Sequence, residues 1–291
     1  MKPLDLLFAI AVPVIWGMGF VVAKAGMDHF PPILLMALRF SLTAFCLVWF
    51  FPPPKGILKH LLWVALVSAT IQYSLTFTGL QGIDASTGAL VVQLEVPFGV
   101  LLGYLVFGDR INRWQLLGML LAFFGAFLIA GEPELSGSLL HLGMVMAGAF
   151  VWAIGQVMLK RLGEIGGFTA ITWIAVLSTP QLFIASWLFE TGQIDAIRSA
   201  NIDAWLAVAY LGLVMTAVGY AMWYHVLGRY AVSSVMPFLL LLPVAAVVGA
   251  VIFLGESLTV TVALGGVFAL AGVAMITLLA SQQTRGIKEN R

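Results

Sequence analysis

Ten apolar runs follow one another along the chain, at residues 4–24, 32–51, 60–80, 85–107, 112–130, 141–160, 168–189, 204–227, 232–254 and 260–280. Each is close to the roughly 20 residues that one membrane crossing needs. Between them stand Pro31-Pro32, Pro52 to Pro54, Gly82 to Asp84, Asp109-Arg110, Glu132 to Glu134, Gly163 to Gly167, Asp195 to Asp203, Arg229 and Gly255-Glu256. These are residues that stop helices or hold turns. The longest link, Glu190 to Asp203, is too short to fold alone. The polar stretch from Ser281 to Arg291 reads as a disordered tail. The pattern predicts an all-α integral membrane protein with ten transmembrane helices.

The pattern also repeats. Trp16, Gly19 and Lys24 of WGMGFVVAK recur as Trp152, Gly155 and Lys160 of WAIGQVMLK, each 136 residues later. Tyr73 and Tyr220, Asp109 and Glu256, Gly118 and Gly265, and Gly125 and Gly272 lie 147 apart, and Pro97 and Pro243 lie 146 apart. An internal repeat of this kind predicts two homologous five-helix halves. They cover residues 1–134 and 141–281, with a cytoplasmic tail over 282–291. Because five is odd, the second half enters the membrane from the opposite side, so the halves are inverted-topology repeats. Two such halves can exchange conformations, which opens a central site to each face in turn. A transporter working by alternating access is the expectation.

Composition agrees with a lipid solvent. Hydrophobic residues make up 62% of the chain and charged residues 9%, against about 25% charged in a soluble domain. The net charge of +1 leaves no basic face for nucleic acid. The single cysteine, Cys46, excludes an intrachain disulfide and any multi-cysteine metal site, and reads as a small apolar residue. The first run begins after Lys2 and extends to about Val22 with no small-residue cleavage site, so it reads as a retained helix. HExxH, GxSxG and phosphate-loop motifs are absent. No enzyme, cofactor or metal is expected.

Lysine and arginine in the loops set the orientation. With the N-terminus cytoplasmic, the inner side holds Lys2, Lys55, Lys59, Arg110, Arg113, Lys160, Arg161, Arg229, Arg285, Lys288 and Arg291. The outer side holds only Lys24 and Arg198, and Arg39 is inside a span. Both termini are therefore expected to be cytoplasmic.

Depth along the helices, at about 1.5 Å per residue, brings several polar and amphipathic groups to one level. In the first half these are Trp16, Arg39, Gln72, Tyr73, Gln93 and Glu95; in the second, Trp152, Gln156, Tyr220 and Trp223. Arg39 and Glu95 are the formal charges well inside spans, where charge is costly and marks a pathway or a partner pair. Glu95 has two readings: a carboxylate that takes a proton or faces a substrate ammonium, or a structural ion-pair partner of Arg39. The tryptophans and tyrosines either line a cavity or pack between helices, and the glutamines either face substrate or bond across helices. Pro97 and Pro243 interrupt repeat-related helices as two hinges or as static bends. His225 reads as interfacial, and Lys24 and Lys160 as snorkelling to the surface. Gly118, Gly125, Gly265 and Gly272 mark the fifth and tenth helices as packing struts.

WGMGFVVAKAGMDHFPP followed by ALRF, at Trp16 to Phe40, resembles the opening of the EamA family of the drug/metabolite transporter superfamily, and within it the O-acetylserine/cysteine exporters. GYAMWYHVLGRY at Gly219 to Tyr230, the prolines of the fourth and ninth helices, and Asp109 and Glu256 after them extend the resemblance over the whole chain. It implies a bacterial inner-membrane exporter of amino acids or related metabolites. It implies a central cavity lined by helices 1, 3, 4, 6, 8 and 9, with 5 and 10 peripheral. Expected partners are a small-molecule substrate and the lipid bilayer, with a homodimer left open. Two alternatives stand beside this reading. Glu95 with Trp16 and Tyr73 could hold a cationic drug such as a quaternary amine, or the chain could be a scaffold that moves nothing.

Overall fold

The computed structural model describes residues 1–108, 111–132, 138–163, 165–230 and 235–279. Asp109, Arg110, Pro133, Glu134, Glu164 and the tail, where loops and a disordered end were expected, lie outside the described residues. Every regular element among the described residues is helical. In chain order these are α1 (Pro3–Gly26), α2 (Pro32–Leu47), α3 (Leu58–Gln81), α4 (Ala85–Phe107), α5 (Arg113–Ala130), α6 (Leu139–Arg161), α7 (Gly167–Phe189), α8 (Ile202–Leu227), α9 (Phe238–Leu254) and α10 (Val260–Leu278). Eight of them are long and apolar enough to cross a membrane, and α2 and α9 are shorter apolar helices. Trp187, Phe189, Leu140, Phe127 and Val260 are each more than 70% exposed, an apolar exterior suited to lipid rather than water.

Helix ends follow local chemistry, and they repeat. Pro3 and Pro32 open α1 and α2, where a missing N–H costs nothing. Gly108 and Gly255, 147 residues apart, close α4 and α9 with φ of 70° and 68°, a backbone conformation that glycine adopts without strain. Asn112 and Thr259, again 147 apart, accept the third backbone N–H of α5 and α10 as N-caps. Two expectations need correction. The second run was expected to reach residue 51, but α2 stops at Leu47 and turns; Pro52 disfavours helix in the residue before it. The link after Glu190 was expected to be loop, yet Gln193–Ser199 forms a short helix.

The helices carry matching irregularities. A π-helical turn spans Leu66–Ile71 in α3 and another spans Tyr210–Val218 in α8, at positions related by the repeat. Such turns widen the coil and free backbone carbonyls. A 3₁₀ turn at Val92–Leu94 precedes Pro97, and one at Met236–Leu240 precedes Pro243. Proline removes the N–H that would bond four residues back, so both spans lose regular α-geometry just before it.

The most extensive helix pairing is α5 with α10. A methyl on Gly272 would lie against the Gly118 carbonyl and 2.5 Å from the Ala122 nitrogen, and one on Gly125 against the Gly265 carbonyl and 2.5 Å from the Ala269 nitrogen. Bare glycine surfaces let these backbones touch, which matters in lipid, where apolar side chains gain little by leaving the solvent. The contact is reciprocal: Gly118 meets Gly272 while its mate Gly265 meets Gly125, as across a two-fold axis. It also runs antiparallel. The pair α2 and α7 is antiparallel as well, with Glu190 at the end of α7 bonded to the start of α2 and Trp173 near the start of α7 bonded to Phe51 past the end of α2.

Candidate functional site

The freed carbonyls of α8 organise one wall of the interior. Trp16 donates its indole N–H to the Met215 carbonyl at 3.0 Å, Thr216 donates its hydroxyl to the Leu211 carbonyl at 2.8 Å, and Thr43 donates to the Gly212 carbonyl at 2.9 Å. All three acceptors belong to the π-helical turn. Trp16 also lies 5.0 Å from the Tyr220 ring and 5.7 Å from the Trp223 ring. Tyr73 of α3 stacks on Phe77 and meets Phe40 edge-on. Gln72 donates to Thr76, and its buried carbonyl oxygen has no partner among the described residues. Trp16, Tyr220 and Trp223 thus meet in one aromatic group of α1 and α8, Tyr73 stands in another with Phe40 and Phe77, and Gln72 bonds within α3.

Arg39 enters this interior from α2. It is 2% exposed, donates to Thr216 Oγ1 at 3.2 Å, and has the Met36 sulfur 3.8 Å from one nitrogen. Its guanidinium stands over the Tyr73 and Phe40 rings, 5.0 and 5.3 Å from their centroids. Its Nε has no hydrogen-bond partner among the described residues. The expected ion pair with Glu95 is not formed: among the described residues, ion pairs join Asp5 to His225 and Arg229 only. The aromatic faces and Thr216 hold the guanidinium on the α3–α8 side instead, while Glu95 opens onto a cavity against α6.

That cavity, of about 330 Å³, runs from Glu95 and Trp152 along Gly99 and Gly103 to Ile111 and Gln115. Glu95 has no hydrogen bond or ion pair to any described residue. Gln93 is buried two residues earlier, and Gln156 is half-buried one turn after Trp152. The Lys160 ammonium sits 4.1 Å from the Phe107 ring centroid and joins the ends of α6 and α4. A larger groove of about 1100 Å³ opens between α2, α3 and α7. It contains none of the expected residues; exposed Ile71, Ile184, Leu188 and Phe189 line it together with Asp28, His29, Gln81 and Gln181.

Repeat-related positions differ in their surroundings. Trp16 is bonded to Met215 and packed against two rings, whereas Trp152 borders the cavity beside Glu95. A methyl on Gly249 would lie 2.5 Å from the Met18 sulfur, yet its mate Gly103 lines the cavity. A methyl on Gly17 of α1 would meet Ala245 Cβ at 3.0 Å, but Gly99, the mate of Ala245, has open space around it. The α1–α9 contact is closed and the equivalent α6–α4 contact is open.

Several polar anchors escaped the sequence reading. Asp5 is 1% exposed and accepts from Arg229 at 3.1 Å and Tyr230 at 2.8 Å, with His225 at 3.0 Å. His225, expected at the interface, thus belongs to a cluster tying the start of α1 to the end of α8. Lys24 does not snorkel: it donates to the carbonyls of Leu80, Gln81 and Ile83 at 2.7–3.0 Å and so caps the end of α3. Glu256 accepts from the amides of Ala85 and Ser86 at the start of α4, and Glu190 from those of Ile33 and Leu34 at the start of α2. The alternation of apolar and polar runs gives no signal for such pairings, because each joins residues more than 50 positions apart.

Apolar helices of membrane-crossing length with a lipid-suited exterior, and one carboxylate, Glu95, on an internal cavity, define a multi-span membrane protein. The chain belongs to the EamA-like transporter family, whose model matches it twice, at residues 4–131 and 139–278. It is therefore a transporter. It is 33% identical over 279 residues to a "Probable amino-acid metabolite efflux pump" of Escherichia coli (strain K12), covering 92% of this chain and 93% of that protein. A protein of the same description from Salmonella typhimurium (strain LT2) is 34% identical over 281 residues, with the same coverage. A "Probable terminal-alkyne amino-acid exporter" of Streptantibioticus cattleyicolor is 26% identical over 286 residues, covering 95% and 94%. A solved crystal structure shares the fold with a TM-score of 0.66 at 18% identity, covering 97% of this chain and 99% of that one.

Proposed function

We propose that this transporter exports amino acids or closely related small metabolites across a bacterial inner membrane by alternating access. In this reading the ten helices are all membrane spans, arranged as inverted five-helix repeats over residues 1–134 and 141–281, with both termini cytoplasmic. The double family match, the 147-residue recurrence of helix caps and π turns, and the antiparallel α5–α10 contact support the repeat.

The observation that carries the mechanism is the unlike setting of like positions. The α6–α4 contact is open at Gly99 and Gly103, and its mate, α1–α9, is closed at Ala245 and Gly249. Exchange of the two arrangements closes one cavity and opens the other on the opposite face, as inverted repeats allow. The open cavity extends toward the ends that carry Arg113, Lys160 and Arg161, the cytoplasmic end by the distribution of positive charge. Pro97 and Pro243, each behind a 3₁₀ turn, act as the hinges. Trp16, Gln72, Tyr73, Gln93, Trp152, Gln156, Tyr220 and Trp223 line the substrate path. Glu95, without a partner among the described residues, is the acid that carries a proton or meets the substrate ammonium. A cavity of about 330 Å³ is at the small end of the range of about 300–1,000 Å³ for small-molecule sites, which favours amino-acid-sized cargo over bulky drugs. The printed names of the relatives support the same class.

The test is flux in proteoliposomes, with and without a pH gradient, for wild type and Glu95→Gln. The panel is cysteine, O-acetylserine, aromatic amino acids and a quaternary amine. The reading requires amino-acid flux that follows the gradient and loses that dependence in Glu95→Gln. Flux of the quaternary amine alone contradicts the substrate class, and gradient-independent flux in both proteins contradicts the coupling.

A further inference from the structure

We infer that Lys24 is the latch of an outer gate and that Lys160, its mate 136 residues on, is the latch of an inner gate. Each lysine closes on the last carbonyls of the third helix of its own half, and the two close in turn. The inference rests on the alternating-access reading and adds to it the groups that shut each face.

When inverted repeats exchange conformations, a contact present at both of two repeat-related places is kept, and a contact present at only one is traded. The α3–α6 and α1–α8 contacts are of the first kind. A methyl on Gly155 of α6 would lie against the Ser68 side chain of α3 and 2.9 Å from its Cα. A methyl on Gly19 of α1 would lie against the Met215 side chain of α8, and these two residues are the mates of Gly155 and Ser68. The helix ends agree. Asp5, at the start of α1, is bonded to Arg229 just past α8. Its mate His141, at the start of α6, has its ring against Gly82, the mate of Arg229, just past α3.

The α1–α3 contact is of the second kind. Phe20 stacks on Phe77 with ring centroids 6.4 Å apart. One turn further out, Lys24 donates to the carbonyls of Leu80, Gln81 and Ile83 at 2.8, 3.0 and 2.7 Å. A helix end leaves such carbonyls without intrahelical partners, and Ile83 leads into α4, so one ammonium joins α1, α3 and the approach to α4. In the second half the mates of the two rings are Gln156 and Tyr224. Tyr224 packs on Phe168 of α7 at 5.3 Å, and no hydrogen bond joins it to Gln156 among the described residues. Lys160 is exposed over the Phe107 ring. It donates to none of the carbonyls of Leu227, Gly228 and Tyr230, which lie 147 residues after the acceptors of Lys24. The end of α8 is nonetheless close by: a methyl on Gly167, seven residues after Lys160, would lie against the Tyr224 ring. The face where the lysine is bonded is shut, and the Glu95 cavity opens toward the face where its mate is not. An ammonium on a flexible stem, with three donors, suits a bond that must form and release. In the opposite conformation Lys160 holds the end of α8 and Lys24 lets go of α3.

The experiment labels a single thiol, Gly99→Cys with Cys46 replaced by serine, from the cytoplasmic face of oriented vesicles with a membrane-impermeant maleimide. Phenylalanine and O-acetylserine are the substrates tried. Without substrate, Lys24→Met should label about tenfold more slowly than the parent, a shift that three bonds to a charged donor suffice to produce. Lys24→Arg, which keeps the donors, should label as the parent does. Loss of structure would speed labelling, so a damaged fold does not mimic the expected result. Lys160→Met should label at the parent's rate but no longer slow when substrate is added, while Phe107→Leu, which removes only the ring contact, should keep that response. Labelling of Lys24→Met at or above the parent's rate overturns the inference, as does a full substrate response in Lys160→Met or an equal loss in Phe107→Leu. If neither substrate alters labelling of the parent, alternating access fails and the inference with it. A parent that responds beside lysine variants that behave like it defeats the latch alone.

Discussion

Gly272→Ala tests whether backbone contact between α5 and α10 holds the two repeats together. The added methyl would lie against the Gly118 carbonyl, 2.5 Å from the Ala122 nitrogen and 3.0 Å from its Cα. Ordinary contact begins at 3.4 Å, so the helices must part by about 0.9 Å at this point. All three neighbours are backbone, so no side chain can rotate away. Overpacking of this type costs about 1–3 kcal/mol, and the gap opened along the rest of the seam forfeits roughly a quarter to a half of its dispersion attraction. Alanine returns about 1 kcal/mol of helix propensity. A net loss of about 2 kcal/mol remains, or roughly 3 °C in unfolding midpoint for a chain of this size. The assay is thermal unfolding in one detergent at one scan rate, because membrane proteins unfold irreversibly and the midpoint depends on rate. Gly143→Ala is the control: it has open space around it on α6 and should leave the midpoint unchanged or raise it. If Gly272→Ala unfolds no lower than Gly143→Ala, close backbone packing does not hold the seam.

Other residues give sharper local tests. Glu256→Ala removes the acceptor for two amides at the start of α4. It should cost about 1–2 kcal/mol, read as a lower midpoint, with Glu256→Gln intermediate; equal midpoints for all three proteins count against the cap. Asp5→Asn weakens the cluster joining α1 to α8, so amides of Leu6 to Ala9 should exchange with deuterium faster than in wild type, and identical exchange argues against the latch. Lys24→Met strips the donor from the Leu80, Gln81 and Ile83 carbonyls and should speed proteolysis at Gly82 to Asp84, while Lys24→Arg should not.

The helices were legible because lipid demands long uninterrupted apolar runs, and eight of the ten runs reappear as helices of membrane-crossing length. The glycine seam was legible too, since Gly118 and Gly125 and their mates stand seven apart, on one face of each helix. The π-helical turns were not. LVSATI and YLGLVMTAV contain no proline or doubled glycine, and in the second the freed carbonyls accept from Trp16 and Thr43, residues distant in the chain. Equal depth suggested an ion pair between Arg39 and Glu95, but depth says nothing about azimuth around a helix, and the two point into different parts of the interior. Asp5 carries no signal of a partner in the sequence; only the fold brings Arg229 to it across 224 residues.

Alternating access is tested most directly by thiol reactivity at one pair of repeat-related sites. With Cys46 replaced by serine, Gly99→Cys and Ala245→Cys place single thiols at positions that are open and packed, respectively. Each protein is labelled in oriented vesicles with a membrane-impermeant reagent, with and without a saturating amino acid. The account predicts that Gly99→Cys reacts from the cytoplasmic face and Ala245→Cys is protected in the resting protein, and that turnover slows the first while exposing the second to the opposite face. Reactivities that do not respond to substrate, or that rise together, would contradict it.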